Sequence, residues 1–119
     1  MQQSPIFAKT YDLLLWLIPL TLKFPKSQRF LLAERLSGMA LDFYDRILEA
    51  VIEPESQGER LRAADRLLTK IRLYVRLSYD LQCISQGQWE QTARRVDEIG
   101  RLIGGWQRKR EKDQRKTEG

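Results

Sequence analysis

The chain has 119 residues, 42% of them hydrophobic and 31% charged, with a formal net charge of +5; that length builds one domain with its own core and excludes a multi-domain reading. It contains no histidine and a single cysteine, Cys83, which excludes Ser-His and Cys-His mechanisms, most transition-metal sites and an internal disulfide. Residues 1–56 carry six Lys or Arg against seven Asp or Glu, and residues 57–119 carry fifteen against nine. The second half therefore suits a polyanionic partner, either nucleic acid or an acidic protein surface. A well-solvated basic helical surface is the plain alternative.

Four helical segments separated by short breaks account for nearly every residue, and no stretch alternates as a strand does. The first follows Ser4-Pro5, a cap with proline at the first helical position, and spans about 5–23. Pro19 removes the amide that would bond the Leu15 carbonyl and is expected to bend it. Its most apolar run, Leu13 to Leu22, is half the length of a membrane span. Asp12 stands where a signal peptide is basic, so no membrane and a cytoplasmic location are expected. Phe24-Pro25 marks a turn, the second helix spans about 26–52, and Pro54 stops it. Its core stripe is Leu32, Leu36, Met39, Phe43, Ile47 and Ala50. Asp42 and Asp45 form a solvated flank beside Arg46.

Ser56-Gln-Gly-Glu59 reads as a capping box, in which serine and glutamate satisfy each other's free amides. It opens a third helix over about 57–84 with the stripe Leu61, Ala64, Leu68, Ile71, Val75 and Ser78. Leu73 and Leu77 fall on the other side, beside Arg62, Arg66 and Lys70. With Leu67, Tyr74 and Leu81 widening the stripe, this face is expected to be a subunit interface. Arg72 and Arg76 lie four apart at the edge of the core stripe. They can pair with a carboxylate on another helix, Asp12, Glu34 or Asp42, or face phosphates in a ladder with Arg66 and Lys70. Both readings stand, with Arg72 leaning towards the structural one.

Ser85-Gln-Gly-Gln88 is a second box of the same form and opens the fourth helix, over about 86–112, with the stripe Trp89, Ala93, Val96, Gly100 and Ile103. Gly100 and Gly104 lie one above the other and let a neighbouring backbone approach closely, with Trp106 supplying packing. Gly104-Gly105 is the commonest way to end a helix. Continuation is expected because Gln107 to Lys112 are helix formers that complement the negative end of the dipole. Arg94, Arg95, Arg101 and Arg108 continue the basic ladder into Lys109 and Arg110, and residues 113–119 are expected to be a disordered tail. Short connections give an all-α, antiparallel up-down-up-down four-helix bundle. No catalytic constellation, metal site or cofactor motif is present in the sequence.

Three segments carry a family resemblance: Phe24-Pro-Lys-Ser-Gln-Arg-Phe30, Lys70-Ile-Arg-Leu-Tyr-Val-Arg-Leu77 and Glu98-Ile-Gly-Arg-Leu-Ile-Gly-Gly-Trp106. The chain resembles the Avd family, the accessory variability proteins of diversity-generating retroelements. The wider group includes four-helix proteins encoded in intervening sequences of ribosomal RNA genes. The resemblance implies a homopentameric barrel of four-helix bundles with a positive surface and no enzymatic activity. It also implies binding to a reverse transcriptase and to template RNA, or DNA, in support of mutagenic complementary-DNA synthesis. Arg72, Arg76 and Arg101 match basic positions of that family. The alternatives are a relative of the ribosomal-insertion type, or a scaffold for an acidic protein.

Overall fold

The computed structural model describes residues 5–118. They form four helices, α1 (Pro5–Leu22), α2 (residues 26–52), α3 (Gln57–Asp80) and α4 (Gln86–Glu118), with no strand among the described residues. Each helix packs on the two beside it, α1 on α2 and α4, α3 on α2 and α4. The result is a square antiparallel bundle, 55 Å long and 22 Å across.

The core follows the three-four spacing. Leu36, Phe43, Ile47 and Ala50 of α2 meet Leu61, Ala64, Leu68 and Ile71 of α3, all at most 1% exposed. Each large side chain so buried contributes about 1.5–3 kcal/mol. Leu13, Leu14, Leu17 and Leu20 of α1 are buried with them. By length and apolar content alone α1 could cross a membrane, but these leucines face the bundle core. α1 runs through Pro19 without ending. Pro19 and Leu15 are both exposed, so water can reach the carbonyl that the proline leaves unbonded.

α2 is not one regular helix. Arg29–Ala33 forms a π-helical turn between α-helical Lys26–Gln28 and Glu34–Ile52. The wide turn carries one extra residue, so adjacent Leu32 and Ala33 both reach the core while Phe30 and Leu31 stay exposed. Met39, expected in the core, is only partly buried, and Ala40 takes its place.

The two expected capping boxes fare differently. At Ser85 the amide donates to Gln88 Oε1 at 2.9 Å and the Gln88 amide donates to Ser85 Oγ at 3.1 Å, as the motif requires. At Ser56 no such bond forms. Pro54–Ser56 is a 3-10 turn that leads straight into α3, and Ser56 Oγ donates back to the Glu53 carbonyl at 3.3 Å. The join is tied instead by Gln57 Nε2, which donates to the Ala50 carbonyl at 2.8 Å. Arg60 reaches Glu53 at 2.8 Å and Glu49 at 3.4 Å. The hydrogen bond to Glu53 holds the Arg60 guanidinium above its ordinary pKa.

α3 ends at Asp80, four residues before the expected Ile84. Gln82 takes a left-handed conformation with φ 65°. Its amide donates to the Tyr79 carbonyl and that of Cys83 to the Ser78 carbonyl, which is the Schellman closure. α4 runs through Gly104-Gly105, as expected, but also past residue 112 to Glu118. Lys109–Asp113 and Arg110–Gln114 contacts at i, i+4 support the added turns, so residues 113–118 are helical and exposed where a disordered tail was expected; Gly119 lies outside the described residues.

Glutamine pays roughly 1 kcal/mol for the left-handed conformation that glycine adopts freely. Gln82→Gly should therefore raise the melting temperature by about 4 °C. An unchanged or lower value would mean that the Gln82 side chain stabilises the turn in some other way.

Candidate nucleic-acid interface

The basic second half of the chain folds into one hairpin, α3 against α4. At its closed end Tyr79 stacks on Trp89 with ring centroids 4.7 Å apart. Further along, Arg72 Nε donates to Asp97 Oδ1 at 3.2 Å. The Arg72 guanidinium points end-on at Gly100, so close that a Cβ there would stand 2.5 Å from Nη2 and 3.7 Å from Cζ. At the open end Arg110 lies flat over Gly58, with Nη1, Cζ and Nη2 2.8, 3.0 and 3.2 Å from a Cβ placed there. Gly104 lies between, with Arg108 Nη1 at 3.3 Å.

These contacts leave a groove of about 470 Å³ bordered by Arg72, Asp97, Gly100, Arg101, Gly104 and Arg108. It shares Gly104 and Arg108 with a second hollow of about 310 Å³ that adds Gly58, Arg62 and Arg110. Arg62, Arg72, Arg101, Arg108 and Arg110 thus line a track along the hairpin, opposed by Asp97 and Glu111. Guanidiniums are always charged and present forked donors that match phosphate oxygens.

The structure separates the arginines that the sequence grouped. Arg72 and Arg76 do not pair with Asp12, Glu34 or Asp42; their partners are Asp97 and, on the same helix, Asp80 at 3.1 Å. Arg76 also lies over the Trp89 ring, 5.3 Å from its centroid. Arg95 turns away from the groove to stack on Trp16 of α1 at 5.0 Å. Trp16 in turn donates to Thr92 Oγ1 at 2.8 Å. Arg66 and Lys70 are exposed on the outer side of α3, and Arg94 is exposed on α4. Lys109 pairs loosely with Asp113 at 3.9 Å.

The small-residue seam also differs from expectation. Nothing from another backbone is among the nearest atoms at Gly100 or Gly104; guanidiniums and the Leu68 side chain are. Trp106 packs on α1, edge to face with Phe7 at 6.1 Å. Leu73, Leu77 and Leu81 are 65%, 42% and 46% exposed, whereas Tyr74 packs against the core and its hydroxyl accepts from Arg35 at 3.3 Å.

Sequence reasoning missed Gly58 and Arg62 as groove residues. Gly58 sat inside the supposed Ser56 box, and only the antiparallel register, which sets the start of α3 against Gly104–Arg110, reveals its partner. A family model described as bAvd-like matches residues 5–110. Comparison with curated proteins gives no match.

The two classes of arginine should separate on substitution. Arg95→Ala removes a cation–π contact worth about 1 kcal/mol and should lower the melting temperature by about 4 °C. Arg101→Ala, which touches only the groove, should leave it unchanged. Equal losses in the two melting curves would place Arg101 in the packing rather than on the surface.

Proposed function

The chain belongs to the bAvd-like family, and from that premise we propose that it is a non-enzymatic accessory protein of a diversity-generating retroelement. In this reading it binds template RNA through the α3–α4 groove and supports mutagenic complementary-DNA synthesis by a reverse transcriptase partner. The observation that carries the reading is the clustering of Arg62, Arg72, Arg101, Arg108 and Arg110 along one groove. Arginine side chains repel one another, and these are offset by few carboxylates. An anionic partner supplies the missing charge.

Phosphate binding releases counterions, so affinity for a single strand falls with salt by a slope of about 0.7 per phosphate contact. Each groove is weak alone. Repeated around an oligomer, such grooves gain affinity through effective concentration without any new contact.

A homo-oligomer, in the five-membered barrel that the resemblance implies, is part of the same proposal. A closed ring needs two different patches on each protomer, one for each neighbour. Leu73, Leu77 and Leu81 offer one on the outer side of α3. Tyr11, Leu15 and Leu22 are exposed on α1 at helical spacing, and α1 stands at the corner of the bundle opposite α3. The two sets support a heterologous, ring-closing contact.

Two results are expected. Paired Arg101→Glu and Arg108→Glu substitutions should abolish RNA binding at low salt, measured by filter retention, with the fold intact by circular dichroism. RNA retention that persists, or wild-type binding indifferent to salt, would remove the groove from the account. Leu73→Glu with Leu77→Glu should convert a salt-resistant oligomer into protomers, read as absolute mass by light scattering. A wild-type protein already monomeric would refute the ring.

A further inference from the structure

The glycines of the α3–α4 seam are covered by guanidiniums, and the arrangement is reciprocal. Gly100 of α4 lies under Arg72 of α3, and Gly58 of α3 lies under Arg110 of α4. Each helix supplies one glycine and one arginine, at opposite ends of the same groove. A glycine in mid-helix, as at Gly100, is disfavoured against alanine, and neither glycine has the positive φ that would require it. What both provide is room for a guanidinium. Gly38 is the contrast, because nothing stands within 4 Å of a Cβ placed there.

Resting on the reading that this groove binds nucleic acid, we infer that Gly58 and Gly100 are seats, the first taking the Arg110 guanidinium flat and the second taking that of Arg72 end-on. The array so formed takes the phosphodiester backbone of a single strand in preference to a duplex. Arg72 uses Nε on Asp97, and its other donors have no protein partner among the described residues. Holding the guanidinium in place before binding removes part of the rotamer entropy that a free side chain loses when it meets a phosphate. The two seats lie some ten residues apart along α4, or roughly 15 Å, with Arg101 and Arg108 between them.

Flexibility sets the preference. A single strand can bend to bring successive phosphates to Arg72, Arg101, Arg108 and Arg110. A duplex is stiff over about 150 base pairs and holds its phosphates at fixed positions. Gly58 and Gly100 are positioning residues in this scheme, acting on phosphate only through the arginines they seat.

The test is fluorescence anisotropy with a labelled oligouridylate, an oligothymidylate of the same length and an RNA duplex of that length, each titrated at several salt concentrations. Gly100→Ala should weaken both single strands about tenfold and reduce the salt slope by about 0.7, with the melting temperature unchanged or higher. A purely structural role would not move the slope. Gly38→Ala should leave affinity and slope as they are. In an Arg72→Ala background, Gly100→Ala should have no further effect, and Gly58→Ala should repeat the loss at the other end should Gly100→Ala fail to fold. A wild type that binds the single strands beside indifferent Gly100→Ala and Gly58→Ala variants overturns the seats alone, and a duplex bound as tightly as the single strands overturns the preference. A wild type that binds none of the three probes overturns the functional reading itself.

Discussion

The basic side of this molecule depends on the antiparallel register of α3 against α4. Tyr79 on Trp89, Arg72 on Asp97 and Gly100, and Arg110 on Gly58 all belong to that one register. A slip of one residue in either helix turns its seam by about 100° and takes the glycines from under the arginines. Magnitudes show what holds the register. The Arg72–Asp97 pair, both members about half exposed, is worth about 1 kcal/mol or less, and the Tyr79–Trp89 stack about 0.5–1.5 kcal/mol. Leu61, Leu68, Ile71 and Val75 of α3 and Val96, Ile99 and Ile103 of α4, each at most 2% exposed, contribute about 1.5–3 kcal/mol apiece. The apolar core sets the register, and the polar groups occupy the positions that it dictates.

The other side of α4 is held by α1. Phe7 meets Trp106, Trp16 meets Thr92 and Arg95, and Lys9 pairs with Glu98 at 3.4 Å. These contacts explain how a helix with only four fully buried residues, Thr92, Val96, Ile99 and Ile103, stays in place. They also explain why one arginine of α4 serves packing while its neighbours remain available. Arg95 faces α1, Arg101 and Arg108 line the groove, and Arg94 is exposed. Along a helix with about 3.6 residues per turn, adjacent positions serve different surfaces.

The stripe of α3 was fully legible, because Leu61, Ala64, Leu68, Ile71, Val75 and Ser78 are all buried as their spacing demands. That of α4 was read correctly at Val96 and Ile103 and one residue late at Ala93 and Gly100, where Thr92 and Ile99 are the buried residues. Glycine and alanine have no side chain long enough to mark a direction, and Thr92 is buried through its hydrogen bond to the Gln88 carbonyl at 2.7 Å, which hydropathy does not reveal. The partner of Arg72 was not legible, because choosing among carboxylates on other helices requires the register; that of Arg76 is Asp80, one turn on along its own helix, which the i, i+4 spacing alone could have shown. Ser56 and Ser85 have the same local pattern and different outcomes: the proline two residues before Ser56 sets up a competing turn, and no proline precedes Ser85. The arginines of the groove were mostly named from sequence, but their alignment over glycine was not, since it arises only when two distant segments meet.

The central claim is that phosphate enters the α3–α4 groove and not another basic surface. It is tested most directly by nitrogen-15 spectra of the arginine Nε–H groups during titration with single-stranded RNA. Large shifts at Arg72, Arg101 and Arg108, with Arg46 and Arg60 unmoved, are the result this account requires. Shifts confined to Arg66 on the outer side of α3, or to Arg95 beside α1, would contradict it.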